Sequence, residues 1–490
     1  MTRKQHFDLI VRNATVIDGT KAARYRAEIG VRDGRIADIG MLDQASADEE
    51  IDASGLIAAP GFIDAHTHDD RLLLSDPDVA PKVSQGVTTV ITGNCGISLA
   101  HSPVPKGAPT PPLDLLDNQG AWFKYQSFRA YRETLEAQPA AVNAACLVGH
   151  TTFRVATMNS LDRVATDAEI KAMRNMARES LGWGAIGIST GTAYPPAASA
   201  STEEIVEVCR PLKEFGGLYV THMRNEDDDI IRSLGETFTI GREVGAPVII
   251  SHHKCVGTRN HGRSPETLAL IEKRSLQQPV GLDCYPYIAS STVLRYDRLE
   301  QSTRIIITWS TTHPELSGVD LDEAAKRLNM SKADAVEAIK PAGAIYFMLD
   351  EKDVQRILKF DDTMIGSDGL PHDVKPHPRL WGTFPRVLGH YSRDLKLFSL
   401  ETAVYKMTGL TASKFGLDGR GVLQKGAHAD ITIFNADTII DAADFENSTR
   451  PSVGIHTVIV NGEPIWRDGR PTGARPGRML TRKMPGLNVV

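Results

Sequence analysis

The stretch that decides the fold is STEEIVEVCRPLKEFGGLYVTH, which spans residues 201–222. Its first part, STEEIVEVCRPLKEFG, is helix-like, and the short apolar run GLYVT follows and stops abruptly at His222. Short apolar runs of this kind are typical of strands that are buried on both faces of a parallel sheet. This stretch therefore predicts that the middle of the chain repeats a unit of one strand and one helix.

Seven further runs of this kind lie between residues 61 and 414, and each also ends at a polar residue. In chain order, the eight runs and the residues that end them are GFID before His66 and His68, VTTVITGN before Cys95, AACLVG before His150, GAIGIS at Ser189 and Thr190, GLYVT before His222, PVIIS before His252, VGLDC before Tyr285, and TMIGS before Asp368. Eight strands with helices between them form a (β/α)8 TIM barrel, whose chemistry lies at the carboxyl ends of the strands. A doubly wound open sheet is the alternative, but its strand ends would not meet at one point. We therefore predict an α/β fold with a TIM barrel over residues 61–414.

The two ends of the chain differ from this middle and are rich in short alternating runs. Hairpin dipeptides occur in both ends, at Asp33-Gly34 and at Asn461-Gly462. Because chain termini often lie close together, we predict one small β-sandwich domain from residues 1–60 and 415–490. Two unrelated β segments are the alternative. Within the barrel, residues 288–341 separate the seventh and eighth runs and are predicted to form an inserted, lid-like segment.

Composition excludes several classes of protein. The formal charge of the 490 residues is -6, whereas nucleic-acid-binding domains are usually strongly basic. No apolar run approaches the roughly 18 residues of a membrane-spanning helix, and MTRKQHFDLIV lacks the apolar centre of a signal peptide. The five cysteines are far apart and form no CxxC motif. We therefore expect a cytoplasmic protein with no nucleic-acid or membrane partner.

Several run-ending residues are candidates for a metal site. His66 and His68 are two apart on an extended segment, so their imidazoles point to the same side. His222 and His252 end neighbouring strands, and imidazole is a ligand that suits zinc. A single histidine at a strand end is more often structural, but two on adjacent strands favour a metal. Asp368 is a candidate catalytic base beside that metal, and its alternative is a turn residue before Gly369.

This arrangement resembles the amidohydrolase superfamily, in which HxH follows strand one, a histidine ends each of strands five and six, and an aspartate follows strand eight. Many members carry a carboxylated lysine at strand four, but that strand reads GAIGISTGT here, which disfavours hydantoinases and dihydroorotases. Cys95 can fill the gap, because thiolate is a strong zinc ligand. The pattern resembles the N-acyl-D-amino-acid deacylases, or D-aminoacylases. The stretches that carry this resemblance are PGFIDAHTHDD, GVTTVITGNCGIS, VGHTTFR, VTHMRNE, ISHHK, YPY, ITWS, PAGAIYF, GSDGLPHD and HPRLWGTFPRVLG.

The resemblance implies zinc-dependent hydrolysis of an N-acyl-D-amino acid to a D-amino acid and a carboxylate. It implies one tight zinc on Cys95, His222 and His252, and a second, weaker site on His66 and His68 that shares Cys95. Asp368 would then be the general base and acid. In ISHHK the first histidine is the expected ligand, because strand alternation turns His253 away.

The resemblance also indicates which residues bind the substrate. Lys254 and Tyr285 would bind its α-carboxylate, with Ser291 as a third candidate. Arg298 and Arg379 lie on segments that bind a distal carboxylate in the N-acyl-D-glutamate subgroup, whereas FMLDEKD resembles the apolar pocket segment of enzymes for neutral substrates. We expect a neutral or broad side-chain preference, in a monomer or small homo-oligomer. The alternatives are a deacylase for N-acyl-D-glutamate or D-aspartate, a cyclic amidase, and a scaffold protein without activity.

Overall fold

The computed structural model describes residues 5–102 and 108–482, and its strands form three sheets. The strands before the barrel are β1 (His6–Val16), β2 (Tyr25–Arg32), β3 (Arg35–Gly40), β4 (Ser46–Asp52) and β5 (Ile57–Pro60). The next strands are β6 (Phe62–Asp64), β7 (Val87–Thr92), β8 (Asn143–Gly149), β9 (Gly187–Gly191), β10 (Leu218–His222), β11 (Val248–Ile250), β12 (Val280–Cys284), β13 (Ala289–Val293), β14 (Arg304–Ser310), β15 (Ala342–Phe347) and β16 (Thr363–Ile365). The last strands are β17 (Ile431–Phe434), β18 (Ile455–Val460), β19 (Glu463–Arg467), β20 (Arg470–Pro471) and β21 (Met479–Leu480).

Most of the helices lie between the barrel strands. The α-helices of the described residues are α1 (Leu72–Ser75), α2 (Ala80–Val83), α3 (Phe128–Ala137), α4 (His150–Thr157), α5 (Asp167–Gly182), α6 (Pro195–Ala198), α7 (Thr202–Cys209), α8 (Pro211–Phe215), α9 (Ile230–Val244), α10 (Ser264–Ser275), α11 (Leu321–Leu328), α12 (Lys332–Ile339), α13 (Glu351–Lys359), α14 (Arg379–Arg386), α15 (Leu400–Met407) and α16 (Gly409–Phe415). No helix within residues 5–102 and 108–482 is both long and apolar enough to cross a membrane.

Eight parallel strands form the barrel in the order β6, β7, β8, β9, β10, β11, β12 and β16. These are the eight predicted runs, and the predicted TIM barrel is confirmed. A parallel bridge between Thr67 and Gly369 joins the last strand end to the first. At the other end of the barrel, Leu410 and Phe415 of α16 pack into the same core as Met364 and Val220. That end is therefore filled with apolar side chains, and the polar strand ends face the opposite mouth.

Strands from both chain ends form a single sheet, which confirms the predicted terminal domain. β5 pairs with β17 in antiparallel orientation, with Pro60 opposite Ile431. The sheet order is β20-β19-β18-β17-β5-β1-β2-β3, and β4 pairs with β1. A separate core that joins Val16 and Ile29 to Ile433 and Ile459 lies within this domain. The apolar residues of the two chain ends thus bury one another.

Two details differ from the predicted division of the chain. The insertion between β12 and β16 contains a three-stranded antiparallel sheet, whose central strand β15 extends to Phe347, beyond the predicted end at residue 341. In addition, β21 pairs with barrel strand β8, with Met479 opposite Ala144. Leu480 packs against the barrel core. The last described residues therefore return to the barrel, because their apolar side chains find contacts there.

Candidate metal centre and active site

The mouth of the barrel brings together the six residues expected to bind metal or act as the base. They form two overlapping groups, in each of which one nitrogen, sulfur or oxygen atom per residue lies within 4.8 Å of the others. The first group is Cys95, His222 and His252, and the second is His66, His68, Cys95 and Asp368. All six residues are buried. Both groups can hold a metal ion, and Cys95 belongs to both.

Cys95 lies at the centre of the cluster. Its Sγ is 3.3 Å from His66 Nε2 and 3.3 Å from His252 Nε2. The same nitrogen of His252 is 2.9 Å from His222 Nδ1. One sulfur and several imidazole nitrogens thus converge on a small volume. This donor set suits zinc, which binds thiolate and imidazole at tetrahedral sites.

Asp368 connects the second group to the guanidinium of Arg379. Its Oδ1 is 3.2 Å from His68 Nε2 and 3.5 Å from His66 Nε2. Its Oδ2 is 2.9 Å from Arg379 Nη2. Burial raises the pKa of Asp368, but the Arg379 guanidinium and the His66 ring outweigh it and hold that pKa well below its usual range. Asp368 is therefore ionised at neutral pH and able to accept a proton.

The charge of the histidines also favours the thiolate of Cys95. Burial raises the pKa of this thiol, but His66 and His252 outweigh it and hold the pKa well below its usual range. The other four cysteines behave in the opposite way, because burial raises the pKa of each, and that of Cys146 to about 12. A thiolate is the form of cysteine that binds metals. Cys95 is thus chemically distinct from a buried structural cysteine.

The backbone turns sharply at three of the cluster residues. Cys95, His252 and Asp368 have positive φ angles of 54°, 35° and 50°. Left-handed backbone is unfavourable for residues other than glycine and occurs most often at functional sites. Asp283 Oδ1 accepts a hydrogen bond of 2.9 Å from the His252 N–H and so fixes one of these turns. Ser189 fixes another, since its hydroxyl accepts from the N–H of Gly96, 3.0 Å away, directly after Cys95.

Two carboxylates that support the histidines were not identified from the sequence. Glu226 Oε1 is 3.1 Å from His252 Nδ1, and Asp283 Oδ1 is 3.4 Å from His66 Nδ1. Both carboxylates are buried. Each carried a signal in the sequence, since Asp283 interrupts an apolar run and Glu226 follows a predicted ligand by four residues in VTHMRNE.

Two further histidines, His253 and His150, lie near the cluster but belong to neither metal-binding group. His253 Nε2 is 2.9 Å from the hydroxyl of Thr267, a residue of α10, on the outer side of the strand. Strand alternation predicts this orientation, with His252 inward. His150 ends the third run, and its Nε2 is 3.3 Å from Glu204. It lies in a buried network with Arg154 and outside both groups.

A small cavity opens beside the metal cluster. It is lined by four of the five expected substrate-binding residues, namely Lys254, Tyr285, Ser291 and Arg298. The hydroxyls of Tyr285 and Ser291 are buried and have no hydrogen-bond partner among the described residues. Met348, from the segment FMLDEKD, also lines the cavity, and the lining residues that were not identified from the sequence are Leu115, Tyr194, Glu226, Ser290, Thr292 and Leu370. The cavity thus combines hydrogen-bonding groups and a cation with apolar side chains.

The two arginines occupy different environments. Arg379 is fully buried, and its Nη2 also donates to the carbonyl oxygen of Ser291 at 3.2 Å. Its guanidinium stacks on the Tyr285 ring, 4.5 Å from the centroid. Arg298 is half-buried at the cavity wall, where its Nη1 donates to Gln301 at 2.8 Å. Arg379 therefore contacts Asp368 and is not among the residues that line the cavity, while its Nε and Nη1 are buried without a hydrogen-bond partner among the described residues.

Comparison with known proteins gives a consistent set of relatives. A family model described as "Amidohydrolase family" matches residues 49–240 and 234–466. D-aminoacylase of Alcaligenes xylosoxydans xylosoxydans is 59% identical to the chain over 478 residues, which cover 98% of each protein. N-acyl-D-aspartate deacylase of the same organism is 50% identical, over 96% of this chain and 95% of its own.

Solved structures agree with these relatives. A structure of D-aminoacylase, described for a binuclear metal centre with one-metal activation and second-metal attenuation, has a TM-score of 0.95 and 58% identity. A structure of N-acyl-D-glutamate deacylase from Bordetella bronchiseptica contains zinc and a phosphonate mimic of the tetrahedral intermediate. Its TM-score is 0.94 and its identity 45%. Each similarity covers 97% of this chain and 100% of the other.

Proposed function

The chain belongs to the amidohydrolase family, and on this basis we propose that it hydrolyses the amide bond of N-acyl-D-amino acids with the help of zinc. The products are a D-amino acid and a carboxylate. The observation that carries this proposal is the cluster of Cys95, His222 and His252 beside Asp368, in a chain that is 59% identical to a D-aminoacylase.

The residues of the mouth fit a zinc ion in two places. We assign the tighter site to Cys95, His222 and His252, and a weaker site to His66 and His68 with Cys95 shared. Zinc bound there supplies Lewis-acid polarisation of the amide carbonyl and lowers the pKa of water.

Asp368 performs the proton transfers. Its ionised carboxylate accepts a proton as the oxygen of water forms its bond to the carbonyl carbon. The same proton then moves to the amide nitrogen as the carbon–nitrogen bond breaks, so the amine leaves in neutral form. One group can serve both steps because general base and general acid differ only by the proton it carries. When the weaker site is empty, Asp368 and Cys95 outweigh burial and raise the His68 pKa to about 9, so its imidazolium, 3.2 Å from Asp368, can stabilise negative charge on the carbonyl oxygen.

The α-carboxylate of the substrate binds at Lys254, Tyr285 and Ser291. Lys254 provides the cation, and the two hydroxyls provide donors that the protein itself leaves unpaired. Buried polar groups without a partner are rare in proteins, so two that line one cavity support a ligand-binding role. Arg379 is assigned to Asp368, whose carboxylate it holds and whose charge it balances.

The cavity offers the substrate side chain both apolar and polar groups. Leu115, Met348 and Leu370 line the cavity, and this supports a neutral or broad preference. Arg298 supports the second candidate, a deacylase for N-acyl-D-glutamate or D-aspartate, because its Nε is buried and unpaired. The similarity to an aspartate deacylase and a glutamate deacylase points the same way.

The proposal also includes the oligomeric state and the cellular location of the protein. All the residues assigned to metal and substrate come from one chain, so a monomer or small homo-oligomer is sufficient for activity. All five cysteines lie within the described residues, and none of them forms a disulfide. Since one of them belongs to the metal cluster and must stay reduced, we place the protein in the cytoplasm.

The experiment measures amino acid release by the zinc-loaded enzyme from N-acetyl-D and N-acetyl-L forms of Met, Leu, Glu and Asp. Turnover of D forms alone is expected, with the neutral side chains fastest. Hydantoin and dihydrouracil serve as controls for a cyclic amidase. Ring opening of either, without turnover of any N-acetyl amino acid, contradicts the proposal. Absence of bound zinc from protein purified without chelators would instead favour an inactive scaffold.

A further inference from the structure

Glu226 lies directly behind the two histidines of the tighter metal site. Its Oε1 is 3.1 Å from His252 Nδ1, and its Oε2 is 3.6 Å from His222 Nε2. The opposite nitrogens of these rings, His252 Nε2 and His222 Nδ1, lie 2.9 Å apart in the cluster. One carboxylate thus faces the outward nitrogens of both rings, while the inward nitrogens face the metal position.

A neutral imidazole carries its proton on one nitrogen and has a free electron pair on the other. A histidine binds a metal through the unprotonated nitrogen, and the other ring N–H usually donates to a carboxylate or carbonyl. The carboxylate of Glu226 can accept the outward proton of His252, and at 3.6 Å from His222 Nε2 it favours a proton on that nitrogen by its charge, without a hydrogen bond. It therefore favours the tautomer of His222 and of His252 that leaves the inward nitrogen available.

Lys254 contacts both Glu226 and His252, and it competes with Glu226 for His252 Nδ1. Its Nζ is 2.8 Å from Glu226 Oε1 and 2.7 Å from His252 Nδ1. An ammonium group has three donors and no acceptor. Lys254 is already the nearest partner of His252 Nδ1, and without Glu226 the ammonium would favour, unopposed, the ring tautomer with its proton on the inward nitrogen. That tautomer cannot bind the metal.

The position of the loop does not depend on this carboxylate. The backbone carbonyl of Glu226 accepts a hydrogen bond of 2.8 Å from the N–H of Val256. Arg224, two residues before it, pairs with Glu236 of α9 at 2.8 Å. These contacts hold the chain between β10 and α9, so a change at the Glu226 carboxylate can be separated from a change in the loop.

We propose that Glu226 is a positioning residue that fixes the tautomers of His222 and His252 and holds the Lys254 ammonium, so that one carboxylate sets both zinc affinity and substrate affinity. The part that concerns Lys254 rests on the proposed function, whereas the part that concerns zinc does not. Outer carboxylates of this kind typically contribute about 10- to 100-fold to metal affinity.

The test compares zinc affinity and steady-state kinetics of Glu226→Gln with those of the wild type. Zinc affinity is measured by competition with a chromophoric chelator, starting from metal-free protein. We expect a zinc dissociation constant that is about 10- to 100-fold higher. With zinc saturating, we expect KM for N-acetyl-D-methionine to rise about tenfold or more, since a charged hydrogen bond that orients Lys254 is lost.

Two further variants separate this role from a general structural one. Lys254→Gln should raise KM and leave zinc affinity unchanged, because Glu226 still accepts the proton of His252. Glu236→Gln removes the loop brace but no contact to either ring, and should leave both quantities unchanged. If Glu226→Gln binds zinc as the wild type does, or if Glu236→Gln weakens zinc equally, the proposal is wrong.

The role of Glu226 can still be decided if Glu226→Gln does not fold or if the wild type lacks deacylase activity. If Glu226→Gln does not fold, Glu226→Asp replaces it, because the shorter carboxylate cannot reach both rings, and wild-type zinc affinity in that variant overturns the proposal. If the wild type binds zinc but hydrolyses no N-acyl-D-amino acid, the proposed function fails, while the zinc measurements still decide the role of Glu226.

Discussion

Replacement of Arg379 by methionine should slow hydrolysis of neutral and acidic substrates by the same factor. The guanidinium is fully buried and holds Asp368 through one ion pair, with 2.9 Å between Nη2 and Oδ2. A charged contact of this kind contributes about 1.5–3 kcal/mol, and a loss of that size corresponds to roughly 10- to 150-fold in rate. Because the lost contact is to the proposed base, kcat carries the effect. The free energy of unfolding should also fall by about 3–5 kcal/mol, since a buried carboxylate loses its partner.

The assay measures kcat and KM for N-acetyl-D-methionine and N-acetyl-D-glutamate in parallel, with chemical denaturation for stability. Arg298→Met is the matched control, because Arg298 lines the cavity and does not contact Asp368. That variant should leave the methionine substrate unaffected and weaken only the glutamate substrate. If Arg379→Met instead loses turnover of N-acetyl-D-glutamate selectively and keeps its kcat for N-acetyl-D-methionine, then Arg379 binds a distal carboxylate and our assignment is refuted.

Three other measurements check the rest of the site. Asp368→Asn should lower kcat by at least about 100-fold while metal analysis still finds zinc, because the variant loses the base and keeps the tighter ligands. Cys95→Ser should lower both zinc content and rate, and full zinc occupancy in that variant would argue against thiolate ligation. Burial raises the pKa of Asp114 and of Asp373 to about 7, so the folded protein retains protons that the unfolded chain releases above about pH 4. The double variant Asp114→Asn/Asp373→Asn should therefore gain stability relative to the wild type as pH rises from about 4 to 7, in denaturation of the metal-free proteins.

The barrel was predictable because fully buried parallel strands have a strong local signal. Each of the eight apolar runs became a barrel strand in the predicted order. Terminal strands were predictable for a related reason, since alternating runs with hairpin dipeptides specify β structure locally. The family resemblance is confirmed over nearly the whole chain. These features share one property, namely that neighbouring residues in the sequence are sufficient to identify them.

The insertion was less predictable because its structure depends on weak local signals. LDEAAKRLNMSKADAVEAI reads as one charged helical stretch, but the chain forms α11 and α12 with a break between them. Asn329 adopts a left-handed conformation at the end of α11, and Ser331 caps α12 by accepting from the N–H of Asp334. The central strand β15 also requires partners on both sides, which no local pattern specifies.

The partners of the site residues could not be read from the sequence. Arg379 could be assigned to a mouth segment, but its contact with Asp368 depends on how α14 packs against the end of β16. Glu226 lies in a stretch that carries the family resemblance, yet its role follows only when β10 and β11 are placed side by side. Sequence patterns thus identify which side chains reach the mouth, whereas their pairing depends on distances between separate strands.

The left-handed residues explain how straight strands deliver side chains to one point. A parallel strand that continued past its end would alternate its side chains between the two faces of the sheet. Cys95, His252 and Asp368 each follow the end of a strand, and each adopts a positive φ there. Such a conformation costs on the order of 1–3 kcal/mol per residue and persists only where the surroundings hold it. The hydrogen bonds from the His252 N–H to Asp283 and from the Gly96 N–H to Ser189 supply that support at two of these turns. Strain is therefore concentrated at the residues assigned to metal and proton transfer, and the network that maintains it belongs to the active site as much as the ligands do.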